Sequence, residues 1–386
     1  MSKLEKLIQQ YCPDGVEYKT LGEVTIMKRG TSATKGIMQA GNIPVISGGR
    51  QPAFYCNASN RTGEVITVAG SGAGAGYVQY WNEPIFVCDA FSIQGNETLN
   101  TKYVYYVLTS IQEKIYSTKK GGGVPHVHIS SIDKFEIPLP PLPVQEEIVR
   151  VLDAFTELQA ELQAELQKRK QQYNFYRDNL LNFKDINRGG QEIKWMKLKD
   201  VATVYDGTHQ TPAYKESGIP FISVENIGNI YNSRKYISRE DFDKYKIKPQ
   251  KGDVFMTRIG SIGVCAVFEK QADIAYYVSL ALIRPDHNAV NSRYLKHIIE
   301  SLTGCKELRK RTLINAVPIK VNKDDIGKIV LPFPSLTEQQ KIVDILDRFD
   351  TLTNDLTSGL PAEMENRRQQ YEFYRDKLLT FKRKEA

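Results

Sequence analysis

Residues 170–184 (KQQYNFYRDNLLNFK) and 368–382 (RQQYEFYRDKLLTFK) are one passage written twice, and a repeat of this kind constrains the architecture before any element is assigned. A second matched block precedes each copy. Pro138, Pro140, Gln145, Ile148, Val149, Leu152, Asp153 and Phe155 answer to Pro332, Pro334, Gln339, Ile342, Val343, Leu346, Asp347 and Phe349. The offset is 194 in this block and 198 in the later one, so the second copy carries four more residues between them. Weaker matches reach further upstream: Tyr18–Val24 with Trp195–Val201, Ile43–Ser47 with Ile219–Ser223, Gly63–Val65 with Gly252–Val254, Gly70–Ser71 with Gly260–Ser261, and Val124–Pro125 with Val317–Pro318. The chain reads as a tandem duplication in which each copy is a mixed globular domain followed by one long helix. Between the shared landmarks the globular copies differ almost completely.

From Val144 onward, apolar residues fall at 144, 148, 151, 155, 158, 162, 166, 173, 176, 180 and 183, with Arg169 filling the one gap. Steps of three and four over roughly 40 residues predict a helix of about 60 Å. The second copy repeats the seam with Ile342, Ile345, Phe349, Leu352, Leu356, Met364, Tyr371, Tyr374, Leu378 and Phe381. One globular domain would not need such a seam, so the two helices are expected to pack on each other. Ile148, Leu152, Phe155, Leu162, Tyr173 and Tyr176 would serve from the first helix, and Ile342, Leu346, Phe349, Tyr371 and Tyr374 from the second. Ser358-Gly359-Leu360-Pro361 should break or kink the second helix, since Pro removes a donor and clashes with the preceding turn. The Pro-rich entries at 137–143 and 331–334 read as stiff, extended joints. An α+β chain follows, with globular domains at 1–143 and 185–336 and long helices at 144–184 and 337–386. Each globular copy should carry one longer helical stretch, at about 101–117 and 292–310, and Ser2 with Glu5 forms a capping-box pattern for a first short helix.

Chemistry-bearing motifs are weak. Gly70–Gly76 (GSGAGAG) has the glycines of a cofactor loop but does not clearly open a helix, and its counterpart Gly260-Ser-Ile-Gly263 has lost the pattern. Asp14, Glu17 and Lys19 carry the letters of a nuclease site at a spacing too short for one, and the second copy lacks them. His126 and His128 would share one strand face, but no other His or Cys lies near in sequence, so no metal is expected. The five cysteines are scattered, which supports neither a disulfide framework nor a zinc site. No apolar run has the length of a membrane span and the N-terminus lacks a signal-peptide core, so a soluble, cytoplasmic protein is expected.

Of the net charge of +7, residues 1–143 carry +2, 144–184 −1, 185–336 +7 and 337–386 −1. The basic excess belongs to the globular domains. Lys119-Lys120 precede Val124-Pro125 as Arg309-Lys310-Arg311 precede Val317-Pro318, and this recurrence points to a phosphate-binding edge in both copies.

The two helix blocks, together with the opening Cys12–Lys19 (CPDGVEYK), resemble the specificity subunit of type I restriction–modification enzymes over essentially the whole chain. The resemblance implies two target-recognition domains, each reading half of a split DNA sequence, separated by two long antiparallel coiled-coil helices that also dock methyltransferase subunits. It further implies a non-catalytic chain that binds no cofactor itself. S-adenosylmethionine would be on the two modification subunits, which methylate adenine, and ATP and magnesium on two restriction subunits. Two frames with divergent fillings suit two readers of different half-sites. After the shared Ile-Pro-x-Ile-Ser, Arg50 is a candidate for guanine and Asn226 for adenine. The wider candidate DNA-binding set is Arg50, Ser71, Lys119, Lys120, His126, His128, Glu225, Asn226, Arg258, Arg309, Lys310 and Arg311. The tandem Gln159–Leu162 and Gln163–Leu166 (QAEL) reads as a ruler unit, about 6 Å of helix. Two rival readings stand beside this one: a self-sufficient methyltransferase or nuclease built on the glycine loop, and a coiled-coil scaffold whose heads bind protein.

Overall fold

A computed structural model of the chain describes residues 2–33, 36, 38–183, 193–354 and 359–385. Two compact units emerge, one formed by Met1–Gln163 with Glu363–Ala386 and the other by Ala164–Ala362. The first unit has a four-stranded sheet in the order Thr25–Arg29, Ala90–Gly95, Val65–Ala69, Val78–Trp81. A three-stranded sheet, Phe54–Cys56, Ile43–Ile46, Phe86–Val87, and a two-stranded one, Glu17–Thr20 with Glu136–Leu139, complete it. The second unit shows the same three patterns. Its four-stranded sheet runs Ala202–Asp206, Leu280–Pro285, Val254–Thr257, Cys265–Val267, its three-stranded sheet Tyr236–Ile237, Ile219–Ile222, Ala275–Tyr276, and its pair joins Lys194–Lys197 to Val330–Phe333.

The sequence of the central strands explains this layering. Val65–Ala69 is buried at all five positions. Ile66 and Val68 face the main core with the helix Thr101–Ser110, whereas Val65 faces the small sheet through Ile46, Ile85 and Val87. The second unit repeats the alternation, with Val254 and Met256 on the helix side and Phe255 on the other. The longer helical stretches are each divided: Thr101–Ser110 and Gln112–Ser117 in one unit, Ser292–Glu300 and Leu302–Arg309 in the other. Hydroxyl groups compete with the helical backbone at both breaks. Thr109 and Ser110 donate back to the carbonyls of Tyr106 and Val107, and the extended Ser301 both donates to Ile298 O and caps the next helix at Gly304 N–H.

The Pro-rich joints are strands with partners. Pro138 registers with Tyr18 and Pro332 with Trp195, each four residues before the next helix begins. Gln145 and Gln339, both buried, hold that turn. Gln145 accepts from Asn100 N–H at 2.8 Å and donates to Pro140 O at 2.7 Å and Thr98 O at 3.2 Å. Gln339 accepts from Asn291 N–H at 2.9 Å and donates to Pro334 O and Ala289 O, both at 2.9 Å. Asn100 and Asn291 in turn cap the helices that follow them.

The central helix Leu142–Leu180 has 39 residues. Ile148 and Leu152 are buried in the core of the first unit, where Leu379 joins them, and Phe155 stands 5.6 Å from the Tyr374 ring and 6.5 Å from that of Tyr371. In the second unit Ile342 and Leu346 lie in the core with Tyr173 and Leu181, and Phe349 stands 5.4 Å from the Tyr176 ring. Leu162 is half-buried. Lys184, the expected end of the first long helix, and Ser358, part of the expected break in the second, lie outside the described residues. Helices Leu336–Asn354 and Leu360–Leu378 flank that break, and Pro361 sits in the first turn of the latter, where a missing N–H is tolerated.

Among the described residues, one ion cluster at the first joint has no counterpart at the second. The buried Glu147 accepts from Arg150 at 2.6 and 3.0 Å and from Lys3 at 2.7 Å, and these partners hold its carboxyl down at about 2. Lys341 occupies the corresponding place in the second copy. Because the folded value lies below the unfolded one, near 4.5, this stabilisation is complete above pH 4.5 and is lost as pH falls toward 2. Glu147→Gln is expected to weaken the protein at neutral pH and to flatten its acid limb, read by urea unfolding between pH 7 and 2.5. Parallel acid limbs for both proteins would contradict the assignment.

Candidate nucleic-acid interface

In the first unit three loops meet, and between them they carry every candidate residue named for that copy. Gly48-Gly49-Arg50 lies against the turn after Val65–Ala69. A Cβ on Gly48 would sit 2.2 Å from Ser71 O, and one on Gly74 would sit 2.4 Å from Gly48 O. These glycines are thus required where chain meets chain. The third loop, 118–128, is stitched to the second by Gly72 N–H to Pro125 O at 3.0 Å and Val127 N–H to Gly70 O at 2.9 Å. Lys120 and His126 exchange both backbone hydrogen bonds, at 2.9 and 2.8 Å. The side chains that result are Arg50, exposed and 5.0 Å over the Tyr77 ring; Lys119, 4.0 Å over Tyr116; Lys120, exposed; and the rings of His126 and His128, stacked 6.1 Å apart. Ser71 donates to Asp89, an acceptor that sequence reasoning did not single out.

The second unit brings the corresponding loops together. Ser279 joins two of them, since its Oγ accepts from Val224 N–H at 3.1 Å and its carbonyl from Arg258 N–H at 3.0 Å. Arg258–Gly260 is stitched to the third loop by Gly260 N–H to Ile319 O at 2.9 Å and Val321 N–H to Arg258 O at 3.0 Å. Leu313 and Lys320 pair across that loop as Lys120 and His126 do in the first unit. Arg258, however, is buried and pairs with Asp206, and burial pulls its guanidinium below the ordinary arginine value. Its geometry is that of a brace under the loops. Asn226 is half-buried and spends one acceptor on Ser223 N–H and one donor on Asn232 O, whereas Glu225 is exposed beside Lys235 at 3.1 Å. Lys310 and Arg311 share the carboxylate of Glu307, and Arg309 is exposed with no acidic partner among the described residues. Each unit therefore offers an edge of basic and amide side chains on three interlocked loops, which can contact phosphates and base edges together.

Among the described residues no group of three or more His, Cys, Asp or Glu could hold a metal ion, and no helix is long and apolar enough to cross a membrane. The type I restriction modification DNA specificity domain matches residues 13–169 and 191–366. A Haemophilus influenzae protein assigned as a type I restriction enzyme specificity subunit is 31% identical over 406 residues, 98% of each chain. The specificity subunit of a type I restriction enzyme from Escherichia coli is 31% identical over 434 residues, spanning 100% of this chain and 98% of its own. The S subunit crystal structure from M. genitalium shares the fold, with a TM-score of 0.60 at 17% identity over 95% of this chain and 96% of that one. With both domain matches falling on the two sets of converging loops, the chain belongs to the DNA specificity subunits of type I restriction–modification systems.

Proposed function

We propose that each unit reads one half of a split DNA sequence through its three converging loops, and that the chain places two adenine methyltransferase subunits and two restriction subunits on that DNA without catalysing a step itself. The observation that carries this reading is the repeated loop assembly: equivalent segments meet in both units, yet Arg50, Lys120, His126 and His128 in one are replaced by Asn226, Leu313, Lys320 and Asn322 in the other. A shared frame with different side chains suits two different half-sites. The glycines at 48 and 74 serve the packing of loop on loop. That use favours leaving S-adenosylmethionine to the modification subunits, and ATP with magnesium to the restriction subunits. The tandem duplication and an antiparallel coiled coil would set the distance between the readers and present the docking surface for those partners.

Modified-base sequencing of DNA from cells with and without this gene should reveal a split motif that depends on it; an uninterrupted motif, or none, would count against the reading. Phosphate contact has its own signature, because each lost contact lowers the slope of log affinity against log salt by about 0.9. Replacing Arg309, Lys310 and Arg311 by alanine should reduce that slope by between about 1 and 3, with Arg309 contributing most because Glu307 already holds the other two. An unchanged slope would remove this cluster from the interface.

A further inference from the structure

The third loop of the second unit ends in a feature that phosphate contact does not explain. Its stem is fixed by Leu313 N–H to Lys320 O at 2.8 Å and Gly260 N–H to Ile319 O at 2.9 Å. Beyond the stem the apolar side chains point into solvent: Ile314 is 67% exposed and Val317 100%, with Leu313 and Ile319 also exposed. A cluster of large aliphatic groups held out in water on an anchored loop is a contact surface awaiting an apolar partner. Arg309, Lys310 and Arg311 precede it in the chain and Lys320 closes its stem, so the partner that fits is one whose anionic surface encloses apolar faces. Duplex DNA has that arrangement, with phosphates outside and stacked bases within the groove.

The loop at the same place in the first unit carries one exposed aliphatic side chain, Val124, where the second carries Leu313, Ile314, Val317 and Ile319. Gly121, Gly122 and Gly123 lead to Val124, and a Cβ on Gly122 or Gly123 would meet no atom within 4 Å. The fold does not demand glycine there, whereas close approach of backbone to a ligand does. We propose that segment 313–319 is an aliphatic wedge that enters the DNA groove at the half-site read by the second unit and unstacks a base step there, while the glycine loop of the first unit lies flat against DNA and leaves its half-site stacked. Aliphatic side chains inserted between base steps unstack and kink duplexes in this manner. The proposal rests on the DNA-reading function above and adds an asymmetry to it.

The test uses the full chain assembled with the methyltransferase subunits of its own system, on duplexes carrying 2-aminopurine at successive positions of both half-sites other than the methylated adenines. Binding should raise fluorescence severalfold at one step in one half-site only. Ile314→Ser with Val317→Ser should return that step to the level of free duplex while the other half-site stays unchanged. Both residues are solvent-exposed, so the variant should fold, and unchanged thermal unfolding checks this. Enhancement that survives the double substitution, enhancement in both halves, or none in a complex that binds DNA overturns the wedge and leaves DNA reading intact. Failure of the wild-type complex to bind DNA overturns both. A variant that keeps the unstacking but no longer retains its methyltransferase subunits makes the loop a protein-docking surface and overturns the wedge as well.

Discussion

Removing Gln163–Leu166 is expected to shift the spacer between the two half-sites by one or two base pairs while leaving both half-sites unchanged. Four residues of helix amount to ~6 Å, against ~3.4 Å for each base-pair step. The deletion should also be tolerated by packing. Along the central helix the seam advances in alternating steps of four and three, except at 158, 162 and 166, where two steps of four follow one another. Such an extra four residues is a stutter, a local unwinding of the heptad repeat, and its removal restores strict alternation. Deleting three residues at the same place would instead turn the later seam off its face, and that chain should fail to assemble. Modified-base sequencing of host DNA reads the outcome. Altered half-sites with an unchanged spacer would contradict the ruler.

Gln339→Leu is expected to cost the second unit about 3–6 kcal/mol, a large share of the stability of any domain. The substitution leaves Asn291 N–H and the carbonyls of Ala289 and Pro334 unpaired in a buried site, at about 1–3 kcal/mol for each. The gain from burying leucine offsets only part of this. Gln145→Leu should act likewise on the first unit, through Asn100, Thr98 and Pro140. Calorimetric unfolding should show each variant lowering the transition of its own unit. Because these glutamines tie the extended joint to the helix, the folded fraction of either variant should also misplace its reader, seen as relaxed selectivity at one half-site. A loss below about 1 kcal/mol, within the usual reach of an ordinary surface change, would mean that the joint is held by other contacts.

What was readable in advance followed from periodicity. A seam of threes and fours can only be one face of a helix, and Leu142–Leu180 is that helix. Matched landmarks pointed to equivalent positions, but not to what those positions do. Gln145 and Gln339 stood among the landmarks, yet a glutamine in the second turn of a helix looks like any solvated residue until the joint strand and the Asn100 or Asn291 turn are folded onto it. Arg258 was a natural DNA candidate because its partner Asp206 lies on another strand, far away in sequence. Nothing in the sequence marks the aliphatic tip at 313–319 as exposed, for the same reason: exposure is a tertiary property. The splits at Ser110 and Ser301 could have been suspected from hydroxyl groups late in each helical run, the one signal there that is local.

The division of the chain into units has a consequence for its biosynthesis. The first unit takes residues from both ends: Tyr18 donates to Phe381 O at 2.8 Å, Val16 N–H to Lys382 O at 2.9 Å, and Leu379 belongs to its core. The second unit is one uninterrupted stretch, 164–362. On the ribosome, the reader whose translation starts first is therefore completed last, after its neighbour has all its residues. A chain that stopped short of Glu363 would hold one unit with all its residues joined to one with an open core.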